Sequence, residues 1–465
     1  MPSRQDQLHS YQYAQQRVVA ALITHDPDPQ RSPLRRAGTT ALVSLLLASL
    51  AVGAVVLYGL VTGQSTVDPR DPDVVFQERG TGARYVYLKS DGRLHPVLNY
   101  TSGLLLAGGR QAPELRSISA ERLAAVPLGD PVGIPDAPDS LPRPDALLAE
   151  RWSVCTDNLR DDGVPRSTLL VGDRLTDGTV AARTGVALLV RDPEERTYLV
   201  HGNRRFAIPP SRLIATLRVL QWADRQPWPV SVAWINAIPL GPDLVAPAVP
   251  ETGGGSVTGL PVGQLVTDPR GQFAVILADG VAALTDVQGR LMQAGPAAPQ
   301  PLDIGNAFFG LPESRTRLSD SADPDGLPAT VPALAASRPG RVCVTLPIDD
   351  RAGDGIRIDP TVPAGVPVSG SAAAPGGNLA DFVHVARGRG AVAVVAASPS
   401  APASSGTVTV VTDAGRQYPL ADRELLAKLG YAGVRPRQIP AELISLMPQG
   451  PPLDPVRARQ APPQE

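Results

Sequence analysis

From Ala37 to Val67 no residue carries a charge, and Ala41 to Val61 reads as Leu, Val and Ala interrupted only by single Ser, Gly and Tyr residues. At about 1.5 Å rise per residue this run covers the roughly 30 Å of a bilayer's hydrocarbon, which predicts a transmembrane helix over 37–62. A cleaved signal peptide is the main rival, but its apolar region is shorter and lies nearer the start. A buried soluble helix is the other. Upstream, Leu8, Tyr11, Val18, Val19 and Leu22 recur at helical intervals on one face, predicting a single amphipathic helix that Asp26-Pro27 and Asp28-Pro29 stop. One short helix cannot bury such a face by itself. It either docks on a partner or lies on lipid headgroups.

Downstream the period changes to that of strands. A strand, tight turn, strand, short helix pattern is readable four times. The turns are Ser90-Asp91-Gly92, Gly202-Asn203, Asp279-Gly280 and Asp413-Ala414-Gly415, which supply the positive φ that tight hairpins need. The third copy is the weakest. After the second and fourth hairpins, Val230–Leu244 and Ile439–Leu453 align without a gap at a constant offset, sharing Pro239 with Pro448, Gly241 with Gly450 and Leu244 with Leu453. The first copy ends similarly, in Val126-Pro127-Leu128-Gly129. Pro and Gly here are read as ending a helix and turning the chain. The organisation expected is a cytoplasmic segment (1–36), the span (37–62), a linker (63–80), repeats at 81–130, 196–250, 251–300 and 401–453, a central domain in two pieces (131–195 and 301–400), and a frayed tail (454–465).

Charge sets the orientation. Arg31, Arg35 and Arg36 precede the span, whereas Asp68, Arg70, Asp71 and Asp73 follow it, so the N-terminus is expected inside and the bulk of the chain outside. Formal net charge is -2, without the basic surplus of a nucleic-acid binder. The only two cysteines, Cys155 and Cys343, fall on the outer side, where oxidation is permitted. A disulfide is expected, with free buried thiols or an intermolecular bridge as the alternatives. The bond would join the two pieces of the central domain. The fold class expected is therefore α+β: one N-terminal transmembrane helix, then an elongated extracytoplasmic region of about four small hairpin-helix repeats around a discontinuous, disulfide-linked, β-rich centre.

Beside these patterns stand Asp91-Gly92-Arg93-Leu94-His95-Pro96-Val97-Leu98-Asn99-Tyr100-Thr101-Ser102, Gly129-Asp130-Pro131-Val132-Gly133-Ile134-Pro135-Asp136-Ala137-Pro138 and Trp152-Ser153-Val154-Cys155. With the Arg-flanked span, they make the sequence similar to the EccB family of type VII (ESX) secretion components, over Ser10 to Pro455. The resemblance implies a scaffold in the inner membrane that associates with its own copies outside, alongside EccC, EccD and EccE components and a mycosin protease. Family members are often labelled ATPases, so the phosphate-binding pattern needs a direct test. Only Lys89 is followed by Ser; Ala83 and Leu88 occupy the two glycine positions, and Lys428 precedes Leu429. No Gly-x-Ser-x-Gly or His-Glu-x-x-His occurs, and His9, His25, His95, His201 and His384 are scattered. Asp323-x-Asp325-Gly326 echoes part of a calcium loop, but Ser321 stands at its first position and Pro332 at its last. Asp349-Asp350 and Asp354-Gly355 read as loop acids. No catalytic, cofactor or metal residue is expected. The other functional classes are a peptidoglycan-contacting module and an outer-face nucleotide hydrolase.

Overall fold

The computed structural model describes residues 3–24, 33–61, 67–148, 151–157, 163–295, 300–318, 326–346, 355–368, 379–396, 402 and 406–461. Two helices come first. Helix α1 (Arg4–Thr24) opens on a reciprocal cap: Ser3 donates its amide and hydroxyl to Asp6 Oδ2 at 3.1 and 2.8 Å, and the Asp6 amide donates to Ser3 Oγ at 3.2 Å. Amides that no helical carbonyl can reach are thereby satisfied. The two Asp-Pro pairs expected to stop this helix lie outside the described residues. Helix α2 (Pro33–Val61) contains Gly38–Gly59, 22 residues apolar enough to cross a membrane by length and composition, none of them buried.

Four units of one topology follow. Each is a meander of three antiparallel strands, a short helix, and a fourth strand that returns to pair in parallel with the first, giving spatial order 3-2-1-4. In unit 1 these are Val74–Glu78, Arg84–Leu88, Arg93–Pro96, helix Tyr100–Leu106 and Glu114–Ile118. Unit 2 uses Leu188–Arg191, Thr197–His201, Arg204–Ile208, helix Leu213–Val219 and Trp228–Pro229. Unit 3 uses Leu265–Thr267, Phe273–Leu277, Gly280–Ala283, helix Asp286–Met292 and Leu302–Asp303. Unit 4 uses Ala391–Ala396, Thr407–Val411, Gln417–Pro419, helix Leu425–Lys428 and Arg437–Pro440.

The hairpins read from sequence are the second and third strands of each unit. The first strands lie in stretches assigned to the linker (Val74–Glu78) and to the central domain (Leu188–Arg191, Ala391–Ala396). Each is flanked by a strand on both sides and buried on both faces, as Val75, Phe76, Val190 and Val394 are. Such strands lack polar alternation and carry no hairpin signal of their own.

Past its fourth strand, every unit turns through a short helix and closes with the same clasp. The Pro127 carbonyl accepts from the Leu94 amide, and the Gly129 amide donates to the Leu94 carbonyl. Pro239 and Gly241 do this to Arg205, Pro448 and Gly450 to Gln417, and Pro312 and Ser314 to Val281. The Pro-x-Gly motif is thus a strand-like rung as well as a helix stop. Its glycine has a steric reason. A Cβ on Gly129, Gly241 or Gly450 would stand 2.3, 2.5 or 2.2 Å from the ring of His95, Phe206 or Tyr418. In unit 3 the ring position is Ala282, and there Ser314 replaces the glycine. Gly450→Ala is therefore expected to cost about 1–3 kcal/mol through overpacking, read as a lowered thermal midpoint. Gly255→Ala, which meets nothing within 4 Å, should leave the midpoint unchanged.

The units nest. Units 1 and 4 share a core in which Val75, Leu104 and Leu105 meet Val394, Val410 and Leu426. Units 2 and 3 share another, with Leu199, Phe206 and Leu220 against Val287 and Leu291. Between the pairs lies a seven-stranded sheet in the order Val366–Pro367, Phe382–His384, Arg166–Leu170, Trp152–Asp157, Arg341–Leu346, Ile356–Ile358, Thr179–Val180. Its Trp152, Val154, Leu169 and Val344 belong to one core with Trp234 and Ile235 of unit 2 and Ile439, Leu443 and Ile444 of unit 4. The tail departs from expectation. Asp454 caps a helix over Pro455–Ala458, Ala458 is fully buried against the unit 1 helix, and the Gly133 amide donates to the Gln460 carbonyl. A polar, Pro-rich composition hides an ordered segment whose anchor is one small side chain.

Candidate functional site

The two cysteines are bonded to each other. Cys155 and Cys343 face one another directly on adjacent antiparallel strands, with Cα atoms 3.9 Å apart, and neither is accessible to solvent. They pack with Leu170 on the face of the central sheet opposite Val154 and Val344, as strand alternation requires. Such a pair is a staple, remote from any surface chemistry.

The remaining candidate side chains do not converge. Lys89 is exposed at the unit 1 hairpin turn, while Lys428 ends the four-residue helix of unit 4. Burial lowers the Lys428 pKa and Arg459 adds to this, with Asp73 opposing. His9 is exposed on α1, and His25 lies outside the described residues. His95 is buried, with Nδ1 2.8 Å from the Asp130 carbonyl oxygen and Nε2 2.8 Å from Asp91 Oδ2. Burial acts to raise the Asp91 pKa, but the His95 hydrogen bond and the Arg93 amide outweigh it and hold the carboxyl below its usual value. Burial pushes His201 down, and its Nδ1 makes no hydrogen bond among the described residues. His384 lies between the Ala364 carbonyl (2.8 Å) and Asp173 Oδ2 (3.3 Å); burial raises the Asp173 pKa against the pull of His384 and Arg389. These rings lie in separate elements, and of them His95 and His384 tie their surroundings together.

Ser321, Asp323, Asp325, Asp349, Asp350 and Asp354 lie outside the described residues. Gly355 is described: its φ is +141°, and a Cβ there would meet Asn203 Oδ1, the atom that accepts from the Ile356 amide at 3.1 Å. The unit 2 hairpin tip is thus seated on the central sheet. Among the described residues, no three His, Cys, Asp or Glu side chains are placed to hold a metal ion.

What the structure offers instead is uncovered apolar surface. On α1, Leu8, Tyr11, Val18 and Leu22 are 57 to 74% exposed, whereas Val19 is partly covered and Ala20 is buried. Along α2, Leu42 to Tyr58 is open throughout. A lipid bilayer suits the second surface, since its run of leucine and valine has bilayer length. The first is too short and interrupted to span, and fits a groove or an interface.

The chain resembles known proteins along almost its whole length. The ESX-5 secretion system ATPase EccB5 of Mycobacterium tuberculosis is 28% identical over 479 aligned residues, covering 97% of this chain and 92% of that protein. A chain in the structure of an intact ESX-5 inner membrane complex superposes with a TM-score of 0.66 at 23% identity, covering 100% of this chain and 96% of that one. The EccB3 dimer from the ESX-3 core complex gives a TM-score of 0.62 at 24% identity, covering 83% of this chain and 100% of that one. The family described as "Type VII secretion system ESX-1, transport TM domain B" matches residues 1–462, and the chain therefore belongs to this EccB family.

Proposed function

We propose that this chain is a structural core subunit of a type VII secretion membrane complex, acting by anchoring and self-association. One observation carries the reading: among the described residues, one uncovered bilayer-length helix joins a short helix with an open apolar face to a body whose repeated units pack on one another and on a disulfide-stapled central sheet. Residues 1–36 lie in the cytoplasm, α2 crosses the inner membrane once, and the units stand outside. The arginines before the span and the acids after it support that orientation, and the disulfide fits an oxidising compartment. The partners are EccC, EccD and EccE type components, a mycosin protease and further copies of the chain. The related EccB3 of the ESX-3 core complex is a dimer, which supports the last of these.

The M. tuberculosis relative is named an ATPase. Phosphate-cradling lysines follow a glycine-rich loop that opens a helix. Lys89 is on a hairpin turn and Lys428 at the end of a helix, which favours the structural reading over nucleotide hydrolysis.

The test is at α1. A buried leucine contributes about 1.5–3 kcal/mol, so Leu8→Asp with Leu22→Asp should reduce recovery of the other membrane components at least tenfold when the tagged chain is purified from membranes. Unchanged recovery would remove the docking role, and a loss of vesicle binding instead would assign α1 to the headgroups.

A further inference from the structure

The short helix that leads into each clasp does not have the same surroundings in every unit. Those of unit 2 (Val232–Ala237) and unit 4 (Ala441–Ile444) pack against one another on the central sheet. A small cavity of about 180 Å³ marks the seam, lined by Ala233, Asn236 and Ala237 from one side and Glu442, Ser445 and Leu446 from the other. Asn236 and Ser445 are equivalent residues, each three before its clasp proline, Pro239 or Pro448. Equivalent positions of two like units thus line one seam.

In unit 1 the same position is Ala124, before Pro127, and in unit 3 it is Phe309, before Pro312. Phe309 ends in solvent. It sits on the 3-10 helix Gly305–Gly310 and is 66% exposed, while its neighbour Phe308 turns inward to cover Val266 and Ile276 of the unit 3 sheet. The two rings meet edge to face at 5.8 Å. Leu302, on the strand leading into this helix, is 43% exposed. An exposed aromatic on a segment that carries a second exposed apolar side chain has the composition of an interface centre.

We infer that the clasp helix of unit 3 is a self-association surface that mates with the same helix of a second copy of the chain. The fold already contains one such contact, between units 2 and 4, so the shape that complements this face is another unit of the same kind. The four units of one chain supply no free aromatic counterpart, because units 2 and 4 are mated to each other and unit 1 carries alanine at this position. As equivalent positions line the internal seam, Phe309 of one copy meets Phe309 of the other near the two-fold axis of the pair. This rests on the self-association reading above and names its surface.

Both native cysteines are bonded to each other, so Phe309→Cys introduces a single free thiol into the chain. In the full-length chain within detergent-extracted membrane complexes, mild oxidation of this variant is expected to give a covalent homodimer from most chains, reversed by reductant. Phe309→Asp should weaken association of the full-length chain at least tenfold by concentration-dependent mass measurement, with an unchanged thermal midpoint. If wild type associates but the Phe309→Cys variant forms no homodimer, or bonds to a different protein, the surface is misassigned while self-association stands. If wild type itself stays monomeric at every concentration, the broader reading fails and this one with it.

Discussion

Trp234→Ala is expected to cost about 3–5 kcal/mol, the range for deleting a large buried aromatic. Trp234 is wholly buried in the clasp helix of unit 2, which packs on the central strands Trp152–Asp157 and Arg341–Leu346. It meets Trp228 edge to face at 6.5 Å and shares a core with Ile439, Leu443 and Ile444 of unit 4. Nearby polar groups keep the helix in place: Ser231 caps it through the Trp234 amide, and the Ser231 amide donates to Thr156 Oγ1 at 2.9 Å. A cavity at this point therefore loosens three bodies at once. Since a typical domain's net stability is roughly 5–15 kcal/mol, the loss takes a large share of it. Urea denaturation of the full-length chain in detergent, followed by far-ultraviolet circular dichroism, checks this. Trp222→Ala, in the separate core shared by units 2 and 3, serves as the comparison: it should release unit 3 without disturbing the centre. A cost below about 1 kcal/mol for Trp234→Ala would mean that the two clasp helices are not what joins units 2 and 4 to the sheet.

The parts of this architecture that are legible in the sequence are those encoded locally. The bilayer-length helix announces itself by a long uncharged, largely apolar run, and the hairpins by turn residues such as Gly202-Asn203, whose φ values of 54° and 63° only a few residue types tolerate. Two of the four parallel closing strands, Trp228–Pro229 and Leu302–Asp303, are only two residues long and offer no period to read. The clasp is half legible. Its Pro and Gly stand out as a shared offset, but the reason for the glycine is a ring more than thirty residues earlier, Phe206 for Gly241 and Tyr418 for Gly450. Spacing cannot reveal a contact between such distant positions. For the same reason Phe309 gives no signal of its own: an exposed phenylalanine and a buried one look alike until the sheet beneath Phe308 is in place.

Removing the disulfide as Cys155→Ala with Cys343→Ala should destabilise the chain by about 2–5 kcal/mol, most of it through the unfolded state. The two cysteines are 188 residues apart, and the loop they close contains all of units 2 and 3, leaving units 1 and 4 outside it. On a chain-entropy account a loop of this length is worth on the order of 5 kcal/mol, so the lower part of the range already allows for native strain. The folded state should change little. Six register pairs hold the two strands together without the bond, and alanine leaves no unsatisfied polar atom among Leu170, Leu175 and Val362. Accordingly, the variant should keep its native circular dichroism and its place in the membrane complex at low temperature, yet unfold at lower urea. In wild type the bond is fully buried, so reductant alone should liberate no maleimide-reactive thiols, whereas reductant with urea should liberate two per chain. Equal urea midpoints for wild type and the alanine pair would show that units 2 and 3 gain nothing from being enclosed by the bond, and that nesting by side-chain packing alone maintains the body.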